Sequence, residues 1–164
     1  MILKYFTLTA ALLLIQVGSV SANNTKLFTG TVISVGDGDT IKANFGSKKV
    51  TIRLACIDAP EMKQTPWGKQ SADRLKQLLP VGQSIKLRTV ATDKYKRTVG
   101  EIYIGNTSIN LTIVQEGQAV VYKEYLSGCN DTQDKFLELE NIAKTKKLGF
   151  WNQPKPVMPW DFRK

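Results

Sequence analysis

Three strand-like runs, separated by short turns, limit the fold more than any other part of the sequence. Residues 28–35, 40–45 and 49–57 are rich in β-branched side chains, and turns of glycine, aspartate and serine separate them. In the third run every second side chain is apolar, as in a strand with one buried face: Val50, Ile52 and Leu54. Strands joined by turns this short pair as antiparallel neighbours, so the sequence predicts a β-meander.

Two further strands and three helices complete the predicted fold. Residues 84–90 and 98–104 have the composition of strands, whereas residues 66–79, 106–116 and 131–147 have the pattern of helices. Five short strands with a helix between the third and the fourth are typical of a small closed barrel that binds polymers across one face. We therefore predict an α+β fold, a five-stranded oligonucleotide-binding-type β-barrel with three α-helices.

The first 22 residues have the composition of a secretory signal peptide. Lys4 precedes an apolar run over residues 5–17, and Val20 and Ala22 are small residues at the positions that a signal peptidase reads. The alternative, an uncleaved membrane anchor, requires about 20 apolar residues, and this run is shorter. The sequence predicts cleavage after Ala22 and a secreted or periplasmic protein.

Residues 23–164 read as a single domain that ends in a proline-rich tail at about residues 152–164. No second apolar stretch is long enough to span a membrane, so we expect a mature form without membrane contact. We also expect a monomer. Without the signal peptide the chain has 22 basic and 14 acidic residues, a net charge of +8. This charge suits a nucleic-acid partner, but it also suits an adhesin for acidic polysaccharide.

Histidine is absent from the chain, and this absence excludes several classes of enzyme. No His-based triad, imidazole general base or His-ligated zinc site can form, so catalysis must depend on other side chains or on a hard metal ion. The two cysteines, Cys56 and Cys129, are too few for a structural zinc site. In an exported protein they form a disulfide or stay free, and an oxidising compartment favours the disulfide.

Three carboxylates are predicted to lie at one end of the barrel. Asp39 starts the second strand, Asp58 ends the third, and Glu61 follows the break at Pro60. Asp39 and Asp58 are candidate ligands for one Ca²⁺, a hard ion that binds carboxylate, carbonyl and water oxygens. Taken singly, Asp39 is also explained as a turn residue and Asp58 as a strand cap. Glu61 can orient or deprotonate a water molecule, the role that histidine cannot have here.

Two arginines complete the candidate site. Arg53 lies inside an otherwise β-branched strand, and Arg97 ends a basic loop over residues 92–97. A guanidinium group binds phosphate or carboxylate through two parallel hydrogen bonds. A metal, two arginines and a glutamate supply the charge clamp and the oriented water that phosphodiester hydrolysis needs. The sequence therefore predicts a phosphodiesterase. The alternative is a catalytically silent nucleic-acid-binding barrel, which has no use for the carboxylates.

The segments that carry these residues resemble the three signatures of the staphylococcal-nuclease-like, or thermonuclease, family. They are residues 36–40, 53–61 and 92–97, and their order and spacing agree with the family from about residue 29 to residue 151. The resemblance implies an oligonucleotide-binding-type barrel with three helices. It also implies a Ca²⁺-dependent endonuclease that acts on DNA and RNA and leaves 3′-phosphate products.

The same resemblance implies a role for each matching residue. Asp39 and Asp58 would be Ca²⁺ ligands, and the backbone carbonyl of Ala59 would be a third ligand, although the family often has threonine at this position. Arg53 and Arg97 would stabilise the charged transition state. A carbonyl ligand is unaffected by the side chain, so the change to alanine should leave metal binding intact.

The remaining predicted roles concern the base and the substrate. Glu61 would be the general base, and Lys94 and Tyr95 resemble the family's contacts to the substrate phosphate. Lys96 replaces a glycine that the family commonly has, which strains the loop if the position needs a positive φ. Tyr122 is our candidate for stacking on a base of a single-stranded substrate, which we expect to be preferred. An ordinary aromatic residue at the barrel edge is the alternative for Tyr122.

Overall fold

The computed structural model describes residues 26–164. The predicted signal peptide, residues 1–22, lies outside the described residues. None of the helices between residues 26 and 164 has the length and apolar composition needed to cross a bilayer.

Short strands and helices alternate along the described chain. The strands are β1 (Leu27–Val35), β2 (Thr40–Phe45), β3 (Lys48–Leu54), β4 (Ile57–Asp58), β5 (Ser84–Thr92), β6 (Thr98–Ile104), β7 (Thr107–Ser108) and β8 (Val120–Val121). The α-helices are α1 (Trp67–Leu78), α2 (Ile109–Gln115), α3 (Gln133–Thr145) and the single turn α4 (Pro159–Phe162). Two 3₁₀ segments cover Lys123–Cys129 and Gly149–Trp151.

Five of the strands form a closed mixed barrel, which confirms the predicted fold. Their order is β3-β2-β1-β5-β6, and parallel pairing of β3 with β6 closes the sheet on itself. In this last ladder Ile52 is opposite Thr98 and Arg53 is opposite Val99. The short β7 continues the sheet beyond β6, and β4 pairs with β8 outside the barrel.

The core follows from the alternation in the sequence. Apolar side chains at every second strand position point into the barrel and are almost fully buried, among them Ile41, Ile52, Ile85 and Ile102. Phe136 of α3 is also fully buried, and α2 and α3 pack against each other. Since a strand with one face fixed in this core has only one register, the residues at the barrel end are also fixed.

The predicted third strand, residues 49–57, is shorter in the structure and ends at Leu54. Cys56 has a φ of +66°, a left-handed conformation that ends the ladder. The buried side chain of Asn110 stabilises this turn, because its Nδ2 donates to the Ala55 carbonyl at 3.0 Å and its Oδ1 accepts from the Ile102 N–H at 3.0 Å. The chain then enters β4 in a new direction, which carries Asp58 outside the barrel wall.

The predicted proline-rich tail, residues 152–164, contains one helical turn, α4, over residues 159–162. Gln64 connects this tail to the barrel, since its Nε2 donates to the Val157 carbonyl at 2.8 Å. The tail therefore packs against the same loops that carry Asp58 and Glu61.

Candidate active site

The loop between β1 and β2 holds Asp39 against the turn that follows β4. Gly38 lies so close to α1 that a Cβ atom there would overlap Ser71 Oγ and approach the Ala59 Cβ to 2.7 Å. This close approach lets the Ala59 N–H donate to Asp39 Oδ2 at 2.8 Å, while Thr40 Oγ1 donates to Asp39 Oδ1 at 3.1 Å. Both carboxylate oxygens of Asp39 are therefore fixed.

Arg53 brings the two aspartates together. Its Nη2 lies 3.1 Å from Asp39 Oδ2 and 2.7 Å from Asp58 Oδ1. Its Nη1 donates to the carbonyls of Leu54 at 2.9 Å and Ile57 at 3.0 Å. The guanidinium is thus held in one orientation by two carbonyls and two carboxylates.

Burial makes the Asp39 carboxylate costly to ionise in the absence of another cation. It raises the pKa of Asp39 to about 6 from 3.8, although the positive charge of Arg53 and the hydrogen bond from Ala59 act in the opposite direction. The negative charges of Asp37 and Asp58 add to the increase. A cation bound beside Asp39 and Asp58 would favour the ionised form.

Arg163, a residue that no sequence motif predicted, connects Glu61 to Asp58. Arg163 Nη1 donates to Glu61 Oε1 at 2.7 Å and to Asp58 Oδ1 at 3.2 Å, and its Nη2 donates to Asp58 Oδ2 at 2.8 Å. The backbone N–H of Glu61 donates to Gln64 Oε1 at 2.9 Å. Arg163 lies more than 100 residues from its partners, so no local pattern in the sequence points to it.

Arg97 lies in a loop whose shape depends on Asp93. Asp93 Oδ1 accepts from the backbone N–H groups of Tyr95 and Arg97, both at 2.9 Å, and Oδ2 accepts from Arg97 Nε at 2.7 Å. Partial burial opposes ionisation of Asp93, but the hydrogen bonds and the charge of Arg97 outweigh it and lower the pKa of this carboxyl. Arg97 immediately precedes β6, the strand that pairs with the strand of Arg53.

Two of the predicted substrate-binding residues lie in this same loop. Tyr95 is exposed, with Lys94 Nζ 5.2 Å and the Arg97 guanidinium 5.5 Å from its ring centroid. Lys96 has a φ of +62°, the conformation that the glycine common in the family would adopt without strain. The loop therefore presents an aromatic ring and three cations to solvent.

The third predicted substrate-binding residue, Tyr122, has an aromatic partner. The Trp160 ring lies parallel to it, with centroids 5.1 Å apart and an interplanar angle of 5°. Tyr125 packs edge-on at 4.9 Å. One face of Tyr122 is therefore covered by the tail, whose Arg163 also binds Asp58.

Cys56 and Cys129 form a disulfide. Cys56 belongs to the turn between β3 and β4, and its carbonyl accepts from the Tyr122 N–H at 2.9 Å. Cys129 ends the 3₁₀ segment that follows Tyr122. The bond therefore ties the segment leading to Asp58 to the segment that carries the aromatic residues.

The donors at this site fit a hard cation. Across residues 26–164, no three His, Cys, Asp or Glu side chains form a metal cluster by themselves. Asp39 and Asp58 nevertheless provide carboxylate oxygens beside the Ala59 backbone, and Ca²⁺ completes such a set with carbonyl and water oxygens. The guanidinium of Arg163 on Asp58 shows that a second cationic group is accommodated there besides Arg53.

Comparison with known proteins agrees with this geometry. Residues 51–153 match the family described as Staphylococcal nuclease homologue. An uncharacterized endonuclease of Escherichia coli O157:H7 is 37% identical over 135 residues, which cover 82% of this chain and 84% of that protein. A micrococcal nuclease of Shigella flexneri is 34% identical over 146 residues, which cover 84% and 81%. The chain therefore belongs to the family of staphylococcal nuclease homologues and is a nuclease.

Proposed function

We propose that this nuclease is a secreted, Ca²⁺-dependent endonuclease that cleaves DNA and RNA with little sequence specificity and leaves 3′-phosphate products. The observation that carries the proposal is the bridge from Arg53 Nη2 to both Asp39 and Asp58. Two carboxylates with a single guanidinium between them keep a net negative charge, so without a further cation this site would bind a polyanion poorly. With a divalent cation they become a site where phosphate is bound and activated.

Asp39, Asp58 and the backbone carbonyl of Ala59 would hold one Ca²⁺. The bound ion supplies Lewis-acid polarisation of a phosphoryl oxygen and offsets the charge that develops in the transition state. The raised pKa of Asp39 supports this assignment, because a buried carboxylate without enough positive charge gains the most from a metal.

Arg53 and Arg97 would stabilise the charge that develops on the non-bridging oxygens of the scissile phosphate. Arg53 is oriented by the Leu54 and Ile57 carbonyls, and Arg97 by Asp93, so neither guanidinium must be ordered when substrate binds. Donors that are already oriented toward developing charge lower the barrier more than mobile ones. The Asp93 contact occupies Nε of Arg97 and leaves its terminal nitrogens for phosphate.

Glu61 would orient the attacking water and accept its proton. Its side chain is about one-third exposed and is hydrogen-bonded in the structure only through Oε1, which accepts from Arg163 Nη1 within the described residues. In the proposed reaction the water oxygen bonds to phosphorus and the bond from phosphorus to the 5′ oxygen breaks. The phosphate then stays on the 3′ side, and the leaving 5′ oxygen takes up a proton.

The exposed loop of Lys94 and Tyr95 would bind the flanking phosphate, and Tyr122 would stack on a base. Phosphate and stacking contacts carry little sequence information, which supports action on both DNA and RNA. An unpaired strand offers its bases for stacking, so we propose that single-stranded substrate is preferred. Net positive charge adds a salt-dependent attraction that is the same for every sequence.

Export through the signal peptide, residues 1–22, is part of the proposal. The disulfide between Cys56 and Cys129 supports it, because such bonds persist in oxidising compartments. Residues 23–164 would then form the mature single domain.

The decisive experiment is digestion of single-stranded DNA by the purified mature protein with Ca²⁺ and with a chelator. We expect cleavage that requires Ca²⁺ and products that a phosphatase acting on 3′ ends can modify. Binding without cleavage, under Ca²⁺ or any other divalent metal, would identify the chain as a silent binding module instead. Cleavage that persists in the chelator would contradict the metal assignment while keeping the nuclease.

A further inference from the structure

The C-terminal segment, residues 157–164, crosses the active site, and we name it the C-terminal strap. It is attached at three points. The Val157 carbonyl accepts from Gln64 Nε2, Trp160 stacks on Tyr122, and Arg163 binds Asp58 and Glu61. Gln64 also accepts from the N–H of Glu61, so the first attachment involves the loop of the proposed general base.

The contact of Arg163 with Asp58 uses the atoms that a metal would need. Asp58 Oδ1 accepts from both Arg53 and Arg163, and Oδ2 accepts from Arg163 at 2.8 Å. The Asp58 side chain is 1% exposed, whereas that of Arg163 is 41% exposed. The guanidinium therefore covers the carboxylate from the solvent side.

The electrostatics of this contact are strong in the metal-free protein. The guanidinium of Arg163 donates to both oxygens of Asp58 and to Oε1 of Glu61, all within 3.2 Å. The carboxylates Asp39, Asp58 and Glu61 carry three negative charges, and Arg53 alone offsets one of them. Arg163 offsets a second, which a divalent cation would otherwise do.

Arg163 leaves Asp58 little capacity to bind a divalent cation. Asp58 Oδ1 already accepts from both Arg53 and Arg163, and Arg163 occupies Oδ2 from the solvent side. The form with Arg163 on Asp58 and the form with metal on Asp58 are therefore alternatives, and the apparent metal affinity equals the intrinsic affinity multiplied by the fraction of molecules whose strap is open.

We propose that Arg163 is a further residue of the active site, a resident cation that pairs with Glu61, competes with Ca²⁺ for Asp58 and thereby sets the metal affinity of the enzyme. Trp160 strengthens this competition by stacking where a substrate base would stack. Ca²⁺ binding then releases the strap and uncovers Tyr122 and Glu61 together. This inference rests on the proposed Ca²⁺ site.

The first test measures Ca²⁺ binding by calorimetry, without nucleic acid, for the wild type, Arg163→Gln and Trp160→Ala. If the strap is closed in about nine molecules of ten, Arg163→Gln binds Ca²⁺ about tenfold more tightly than the wild type. Trp160→Ala, which leaves every charge in place, also binds more tightly. Lys164→Gln is the matched control, because it removes a positive charge from the same segment, at a residue paired with Asp161 rather than with the site.

The second test uses the wild type and does not depend on any variant being folded. Ca²⁺ should increase amide hydrogen exchange in peptides that cover residues 157–164 and leave exchange in the barrel strands unchanged. Unchanged or slower exchange in the strap, at saturating Ca²⁺, would overturn the proposal.

The two proposals fail in distinguishable ways. If the wild type binds Ca²⁺ and cleaves DNA, but Arg163→Gln has the same or a weaker Ca²⁺ affinity, the strap is a permanent structural tie and this inference alone is wrong. If the wild type neither binds Ca²⁺ nor cleaves, the proposed Ca²⁺ site is wrong, and the competition for it is wrong too.

Discussion

Asp39 and Asp58 are bound by the same nitrogen atom, Nη2 of Arg53, although they lie on opposite sides of β3 in the sequence. The hairpin register places Thr40 opposite Arg53, so the residue before Thr40 reaches the guanidinium. The turn at Cys56 then returns the chain toward the same side. One hairpin and one left-handed residue therefore assemble the centre of the site.

Glu61→Gln should lower kcat by about 10²- to 10⁴-fold, because the amide cannot accept the proton of the attacking water. The shape of the side chain is kept, so the thermal midpoint should change little. Steady-state kinetics on single-stranded DNA measures the effect. Glu138→Gln is the control, since Glu138 pairs with Lys135 on the exposed side of α3 and should keep the wild-type rate. A Glu61→Gln enzyme of normal kcat would remove Glu61 from the chemistry.

Arg97→Lys should lower kcat about 100-fold, even though the positive charge is kept. An ammonium group cannot use one nitrogen for Asp93 and two others for phosphate, as the guanidinium of Arg97 can. Single-turnover kinetics separates this loss from weaker substrate binding. The same exchange at Arg74, whose guanidinium pairs with Glu116 between α1 and α2, should leave kcat within twofold. Equal losses in both variants would point to general destabilisation.

Asp39→Asn should stabilise the metal-free protein at neutral pH. The folded-state pKa of about 6 exceeds the ordinary value of 3.8, so the contribution of Asp39 to stability is fully present below pH 3.8 and is lost as the pH rises through 6. Above pH 6 the loss in the wild type is about 3 kcal/mol, which the amide avoids. Urea unfolding with a chelator, from pH 4 to pH 8, should show the variant gaining its advantage with rising pH.

Saturating Ca²⁺ provides the control for the Asp39 experiment. The ion binds the folded wild type and stabilises it by mass action, so the advantage of Asp39→Asn should shrink or reverse. A wild type that is more stable than the variant at pH 8 without metal would contradict the raised pKa.

Lys96→Gly should increase the free energy of unfolding by about 1 kcal/mol. The φ of +62° costs a lysine roughly 1–2 kcal/mol and costs a glycine nothing, and the greater freedom of the unfolded glycine removes part of this gain. Lys94→Gly, in the same loop but without a positive φ, should destabilise. Urea titration of both variants gives the comparison, and a loss of stability in Lys96→Gly would show that the turn is not strained.

Removal of the disulfide should lower the free energy of unfolding by about 4 kcal/mol, since it closes a loop of 73 residues in the unfolded chain. The double variant Cys56→Ser/Cys129→Ser, compared with the wild type in urea, measures this value. Thiol titration of the denatured wild type should detect no free thiol. Two titratable thiols would disprove the bond.

The barrel was predictable because short turns bound its strands and because several of them have one buried face. β2 alternates between buried and exposed residues, and β2 and β6 have the predicted bounds. The fourth predicted strand extends only two residues further. The break after Leu54 was not predictable. Ala55, Cys56 and Ile57 are all buried, so no polar turn residue marks it, and the left-handed residue is a cysteine rather than a glycine.

The candidate site was predictable only where its residues lie in short motifs. One hairpin and one turn bring together Asp39, Arg53 and Asp58. These residues are close in the sequence, so their spacing could predict that they meet. Arg163 depends on packing between the tail and a loop more than 100 residues earlier, through Trp160 and Gln64. Contacts of that kind leave no periodic pattern, and the chain's many other lysines and arginines look the same in the sequence.

The parallel ladder between β3 and β6 has a consequence for how the site forms. Under the proposed roles, Asp39, Arg53, Asp58 and Glu61 belong to the first half of the barrel, and Arg97 joins them only when β6 pairs with β3. A nascent or unfolded chain therefore carries two incomplete halves, neither of which holds the full charge clamp. Under these roles the complete charge clamp forms only when the barrel closes.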